Sequence, residues 1–460
     1  MFKVLLPSFK EDRYNILDYG VHKDSLENSG DGINKAILDC SKNGGGYVVI
    51  PSGIYYSSPI YLKSNVCLFF ETGAIIKMLK DEAYYPLYEA DWEGIKRIRC
   101  VSPINIIDCE NVGITGAGFI DGAGDLWRPV KDWKLTKKEW DKRVAKNNSI
   151  QTLKESCVWY PNQRILDGVL KGEKSTLKEA QEYWDMYRPV MVLIKNSSKI
   201  LFDGMTFSNS PAWNIHPLFS DNLTVRNCIV KNPYHAQNGD GIDIESCKNV
   251  EIYNSTFEVG DDGICVKAGK NREAREIKVP CENIYIHDCL VFEAHGGFVI
   301  GSEMSRGVRN VYVENCNFIG TDVGLRFKSA LGRGGVVENM NIKDIRMSAI
   351  KEEAIILTMS YALTTIGVEG FESTRNDDPE DIPYFKNFNI ENIFCDSSKK
   401  SLVIEGITSD TIKDITIKNS FIKSDNDIKL KKCKNINIIN TTFDINGNNK
   451  NINDTFTMEE

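Results

Sequence analysis

Apolar and polar residues alternate along much of this chain in short runs, and the runs recur. The clearest form is Asn, apolar, any, apolar, any, Asn or Asp, small, any, apolar. It reads NLTVRNCIV from Asn222, NVEIYNSTF from Asn249, NIYIHDCLV from Asn283 and NVYVENCNF from Asn310. It continues as NMNIKDIRM from Asn339, NFNIENIFC from Asn387 and NINIINTTF from Asn435, with fainter copies in NVGITGAGF from Asn111 and KILFDGMTF from Lys199. Alternation over about five positions marks a half-buried strand, and the Asn, Asp or Gly that follows turns the chain into a second short strand. Units recur roughly every 21 to 34 residues, the period of a stacked solenoid. A β-sandwich also has many short strands, but it has no reason to repeat one residue type at one slot. The pattern therefore predicts an all-β stacked solenoid. Like residues should stack at about 4.8 Å, with Asn and Cys forming internal ladders.

Two stretches depart from the repeat. Residues 14–80 read as an N-terminal cap, with helical spacing of Ile33, Ala36, Ile37 and Cys40 before a run of turns and strands. Residues 123–190 are charged, contain Trp127, Trp133, Trp140, Trp159 and Trp184, and include helical patterns such as STLKEAQEYWDMY. They read as an insertion between coils, either decorating the solenoid or walling a site where Trp stacks on sugar rings. Residues 1–460 are otherwise expected to form one domain.

Composition narrows the function. Hydrophobic residues at 42% and charged residues at 26% belong to a globular protein, and no uncharged apolar stretch is long enough to span a bilayer. The start, MFKVLLPSFKEDRYN, is broken by Pro7 and too short for a secretory core, so a cytoplasmic location is expected. A net charge of -8 disfavours nucleic acid as partner. It leaves an acidic polysaccharide open, provided Lys and Arg gather locally. The 13 cysteines lack zinc-ligand spacing; Cys228, Cys289 and Cys316 share one repeat slot, which suits small buried thiols in a reducing compartment.

Candidate chemistry sits in consecutive units. Asp240 in QNGDGIDIES and Asp261 with Asp262 in VGDDGICVK are 21 residues apart, close to one coil, so all three should reach one face. Glycosidic hydrolysis needs a protonated carboxyl for the leaving oxygen and an ionised one to activate water, and mutual repulsion among three aspartates raises the proton affinity of at least one. Asp-Gly pairs also make ordinary turns, though adjacent like charges weaken a turn. Asp243, alternating with apolar neighbours, is the weaker candidate and reads equally as a strand residue. His295, ahead of two glycines, reads either as a site residue or as a core histidine. Arg326 and Lys328 lie two apart, hence on one strand face, and suit a sugar carboxylate.

SPAWNIHP from Ser210, NGD from Asn238, GDD from Gly260, HG at His295 and RFK from Arg326, in this order, resemble glycoside hydrolase family 28, the polygalacturonases. DYGVHKD, GGGYVVIPSGIY and IYLKSNVCLFFETGA resemble the N-terminal cap of that family, so the likeness covers nearly the whole chain. The resemblance implies a right-handed single-stranded parallel β-helix and inverting hydrolysis of α-1,4-galacturonosidic linkages. It assigns Asp261 as general acid, Asp240 and Asp262 as water activators and His295 as the group tuning the acid. Arg326 and Lys328 would hold the galacturonate carboxylate, with Gln237, Asn238 and Tyr361 completing the substrate-binding set. No metal or cofactor is implied. Two motifs depart from the family pattern: Gly239 replaces the usual Thr after HAQ, and Phe327 replaces the usual Ile. Both changes spare the charged groups but leave the exact substrate open. The segments GGFVIGSEMSRGVRNVYVENC and GLRFKSALGRGGVVEN resemble the bacterial exo-acting branch, an expectation in keeping with a cytoplasmic enzyme fed by imported oligogalacturonides. Rhamnogalacturonan hydrolysis, a calcium-dependent pectate lyase and a non-catalytic carbohydrate-binding β-helix are the alternatives. Neither nucleic acid nor membrane is expected as a partner, and oligomeric state is left open.

Overall fold

A computed structural model of the chain describes residues 2–361 and 378–460. Its strands form a right-handed, single-stranded parallel β-helix with three ladders per coil. One coil runs through Lys248–Tyr253, Thr256–Glu258 and Asp262–Lys267. The next runs through Cys281–His287, Leu290–Phe292 and Gly296–Ile300. Each strand lies in register on its successor, Val250 on Ile284, Phe257 on Val291 and Ile264 on Phe298, and these six side chains are fully buried. The inward half of each alternating run thus fills one continuous core.

The repeated Asn has a backbone reason. Asn111, Asn222, Asn249, Asn283, Asn310, Asn339, Asn387 and Asn435 all lie at φ between 52° and 59°, the left-handed region that Asn tolerates best after Gly. Their amides form a ladder, Asn283 Nδ2 donating to Asn249 Oδ1 at 3.0 Å and Asn339 Nδ2 to Asn310 Oδ1 at 3.1 Å. Lys199 holds the same conformation in the faint copy, at φ 54°. One further coil, with Asp414 at φ 56° in the Asn slot, escapes the repeat as read from sequence. The interval from Asn387 to Asn435 therefore holds two coils, whereas that from Asn339 to Asn387 is one long coil, since Phe388 pairs with both Met340 and Ile415. Cys228, Cys289 and Cys316 are buried free thiols in the predicted slot.

The helix Gly30–Lys42 buries Ile33, Ala36, Ile37 and Cys40 against the first coils. The strands Gly46–Ile50, Gly53–Ser57, Val66–Phe70 and Ala74–Met78 that follow already stand in the ladders. At the other end, Asn448–Met458 folds back antiparallel on Cys433–Ile445, which covers an edge otherwise open to strand addition.

Residues 122–191, between two coils, contain a three-stranded antiparallel sheet of Val130–Lys131, Ile150–Thr152 and Cys157–Trp159. Helices Lys137–Val144 and Gln163–Lys171 flank it, the first closed by a Thr136–Glu139 capping box. Trp127 and Trp184 pack with Tyr85, Tyr183 and Tyr187 in a small separate core, so two of the five tryptophans here hold the insertion together. The hairpin Leu87–Trp92 and Ile95–Cys100 rises beside it.

Candidate active site

An eleven-stranded parallel sheet forms one side of the solenoid, and the charged residues singled out above gather on its central strands. Ile242 pairs with Ile264, a step of 22 residues, so Asp240 continues onto Asp262 and not onto Asp261 as the spacing of 21 suggested. Asp261 is the last residue of the corner before that strand. Oxygens of Asp240, Asp261 and Asp262 come within 4.8 Å of one another.

The partners of each carboxylate differ. Asp262 accepts from Lys328 Nζ at 2.6 Å and Arg326 Nη1 at 3.3 Å, both cations projecting from the strand Val323–Lys328 as their two-residue spacing predicts. Asp261 Oδ1 meets His295 Nδ1 at 3.0 Å, and Asp261 Oδ2 accepts from the Asn238 backbone N–H at 3.2 Å. His295, its side chain 28% exposed, is therefore a site residue and not a core histidine. Arg188 donates to Gln237 O and Asn238 Oδ1, both at 2.8 Å, and so fixes the corner that carries Asp240, where Asn238 sits at φ 53°. The Tyr361 ring lies 4.9 Å from Lys328 Nζ and 5.8 Å from the Arg326 guanidinium.

Asp243 lies in the strand Ile242–Glu245, as its alternation with apolar neighbours suggested, but its surroundings are charged. It is fully buried, and Lys267 Nζ lies 3.5 Å from its Oδ1 and 3.2 Å from Glu303 Oε2. Burial, then the Asp262 and Asp261 charges, outweigh Lys267 and raise the Asp243 carboxyl to about 8. Burial and the neighbouring Asp243 and Asp261 charges push Asp240 well above the usual carboxylate range. Burial acts upward on Asp261, Asp262 and Glu303 too, but nearby groups overcome it and hold all three low: His295, Lys328 and Arg326 for Asp261, Lys328 and Arg326 for Asp262, Lys267 and Arg333 for Glu303. The raised proton affinity that repulsion was expected to give thus falls, in the empty site, on Asp240 and Asp243 and not on Asp261. With those two protonated, Asp261, Asp262 and Glu303 are the ionised carboxylates that Lys267, Arg326 and Lys328 face.

Above this charged layer lies a cavity of about 860 Å³. Its floor includes Asp240, Asp261, Asp262, His295, Lys328 and Tyr361, and its sides include Trp92 and Arg99 of the hairpin and Val158 and Tyr160 of the insertion. Trp92 stacks on Trp213 at 4.6 Å, while Lys267 Nζ lies 4.7 Å from the Trp213 ring. Lys134, also from the insertion, places Nζ 3.0 Å from His295 Nε2. Sequence reasoning passed over Lys267, Glu303, Arg188, Lys134, Trp92 and Trp213. Lys267 and Trp213 lie inside quoted motifs, and a register count would have found Lys267 opposite Glu245, but nothing local marks Lys134.

The description "Glycosyl hydrolases family 28" matches residues 165–373. The exo-poly-α-D-galacturonosidase of Dickeya chrysanthemi is 27% identical over 410 residues, 87% of this chain, and the match spans 65% of that relative's length. An endo-polygalacturonase of Pectobacterium carotovorum is 26% identical over 87% of this chain and 85% of its own. Among solved structures, the hyperthermoactive exopolygalacturonase of Thermotoga maritima superposes with a TM-score of 0.78 at 29% identity, covering 99% of this chain and 97% of that one. Taken with the ordered motifs and the three carboxylates they bring together, these matches make the chain similar to the glycosyl hydrolases of family 28 across the residues that carry the site.

Proposed function

We propose that the protein hydrolyses α-1,4-galacturonosidic linkages of polygalacturonate or oligogalacturonides from the chain end. The observation that carries this reading is the convergence of three carboxylates with Lys328 at the bottom of one walled cavity, with Arg326 paired to Asp262 beside them. Those cations suit a uronate carboxylate, with Tyr361, Gln237 and Asn238 beside it. The hairpin and insertion around the cavity favour attack on chain ends, in keeping with the names of the Dickeya and Thermotoga relatives.

Electrostatics supplies the mechanism. A galacturonate carboxylate at Arg326 and Lys328 adds one negative charge beside Asp262 and Asp261. It thereby weakens the field that keeps Asp261 ionised. The proton then passes from Asp240 to Asp261, so that substrate itself arms the acid. Asp261 donates to the leaving oxygen, and Asp240 and Asp262, both now ionised, take up the attacking water and its proton. His295, bonded to Asp261, holds the acid in place. The carboxylates are closer than the ~6.5–9.5 Å common among inverting enzymes. Inversion therefore rests on the resemblance to the family and is tested by proton NMR of the first anomer released.

Product analysis on defined oligogalacturonides tests the whole reading. Early release of monomer or dimer alone is expected, and a spread of lengths would refute end attack. A lyase reading has one observation in its favour, the three carboxylates close enough to share a cation. Lys328 Nζ on Asp262 disfavours it by already neutralising one of them. An ultraviolet-absorbing product abolished by a chelator would replace hydrolysis with elimination. We also propose a reducing compartment for the protein, since all 13 cysteines are free thiols and all but Cys157 are buried.

A further inference from the structure

The insertion's small sheet has two working faces. On the strand Cys157–Trp159 and its continuation, Val158 and Tyr160 line the catalytic cavity while Trp159 and Pro161 line a second cavity of about 800 Å³ on the other side. The alternation of a β-strand makes one backbone the partition between them. The second cavity is cationic: Lys80, Lys142, Arg143 and Lys146 line it, against Asp125 and Glu139. This stands out in a chain of net charge -8.

The cations are not there to neutralise protein carboxylates. Lys80 pairs with Asp185 at 3.3 Å, but Lys142, Arg143 and Lys146 have no ion-pair partner among the described residues. Arg143 is placed with some care. Its guanidinium lies 5.4 Å from the Trp159 ring centroid, and Nη2 donates to His235 Nε2 at 2.8 Å. That leaves most of a guanidinium's five N–H donors for another acceptor. Burial first, then Arg143, keeps the His235 ring neutral with a pKa near 4, so it orients Arg143 without adding charge. Glu139 is occupied in the helix cap, and Asp125 accepts from Asn209 at 3.0 Å. An apolar indole wall beside unpaired cations suits a ligand with one apolar face and carboxylates at its edge.

We infer that this second cavity is an accessory binding site for a uronate-bearing oligosaccharide, held by Lys142, Arg143 and Lys146 against Trp159. The inference rests on the reading above for its ligand class. The site lies outside the catalytic cavity, yet His235 belongs to the same corner as Gln237, Asn238 and Asp240, so the two ligands would contact one segment from opposite sides of the partition.

The test uses the full chain carrying Asp261→Asn to prevent turnover, titrated calorimetrically with galacturonic acid, trigalacturonate and a longer oligogalacturonide. Two molecules of trigalacturonate per chain are expected if separate chains occupy the cavities. One molecule of the longer oligomer, bound more tightly than trigalacturonate, is expected if a single chain spans both. Lys142→Glu with Lys146→Glu, both exposed on the helix and just beyond it, should weaken the second component about tenfold or more in the first case, and in the second should weaken the longer oligomer about tenfold or more, towards the affinity of trigalacturonate. Arg143→Ala should weaken it too. One-site binding that none of these substitutions alters overturns the accessory site. Hydrolysis by the unsubstituted protein is followed alongside: product formed with one-site binding condemns only the accessory site, whereas no product from any galacturonide condemns the uronate reading and this inference with it.

Discussion

Replacing Asp243 with Asn tests directly whether its buried carboxyl is protonated. The side chain is fully buried, and its carboxyl titrates near 8 against an ordinary value of 3.8. A raised folded-state pKa contributes stability that is fully present below the unfolded value, near 4, and is lost progressively as pH rises through 8. Asn at the same place keeps the shape and never ionises, so the variant lacks that loss. Between pH 6 and pH 9 the protein with Asp243 should therefore lose stability relative to the variant over about two pH units before its own carboxylate ionises. At about 1.4 kcal/mol per unit, the gap widens by about 2–3 kcal/mol. Any fixed cost of exchanging the Lys267 contact cancels in this difference between two pH values. For a chain of 460 residues an unfolding entropy near 1 kcal/mol/K turns this into about 2–3 °C. Differential scanning calorimetry of both proteins at pH 6 and pH 9 provides the measurement. A melting-temperature difference that is the same at both pH values would refute the protonated Asp243.

Other substitutions separate the remaining roles. Asp261→Asn should lower kcat at least ~10²-fold while trigalacturonate binding persists, and undiminished turnover in a folded variant would move the acid elsewhere. Lys328→Met leaves the buried Asp262 with Arg326 as its remaining direct cation. It should cost about 3–5 kcal/mol in chemical denaturation as well as raising KM, and an unchanged denaturation midpoint would show the pair to be dispensable. In the Asn ladder, Asn310→Gly should cost about 1 kcal/mol for the lost side-chain bonds. Asn310→Ala should cost about 1–2 kcal/mol more, because Ala is strained at φ 56°, and equal losses would refute the backbone explanation of the repeat.

The solenoid is legible in the sequence because two local rules coincide at each unit: alternation at period two, and Asn where the chain must turn through the left-handed region. Where another residue meets the second rule, the reading thins, so Lys199 left only a faint copy and Asp414 hid a coil altogether. Motif order likewise foretold which groups converge, and Asp261, His295, Arg326 and Lys328 meet as expected. The proton's resting place did not follow from the sequence. It depends on Lys267 and Glu303, which meet across 36 positions of chain, and on burial that no local pattern reports. Lys134 reaches His295 from the insertion, a contact across 161 positions with no register to predict it.

Two kinds of corner in this helix have opposite freedoms. The Asn227, Asn254, Asp288 and Asn315 corners each place just two residues between strands, always with φ near 50°, and they change little along the solenoid. The corner before the site-bearing sheet spans three residues at 259–261 but seventy at 122–191, with no break in the ladders above or below. Loop closure grows only logarithmically with length, so the longer excursion costs about 3 kcal/mol more than the shorter. Substrate preference can therefore be rewritten by trimming or grafting at that one corner, with the spine as an unchanged chassis. Shortening 122–191 to a tight turn would convert a walled cavity into an open groove while leaving Asp240, Asp261 and Asp262 in place.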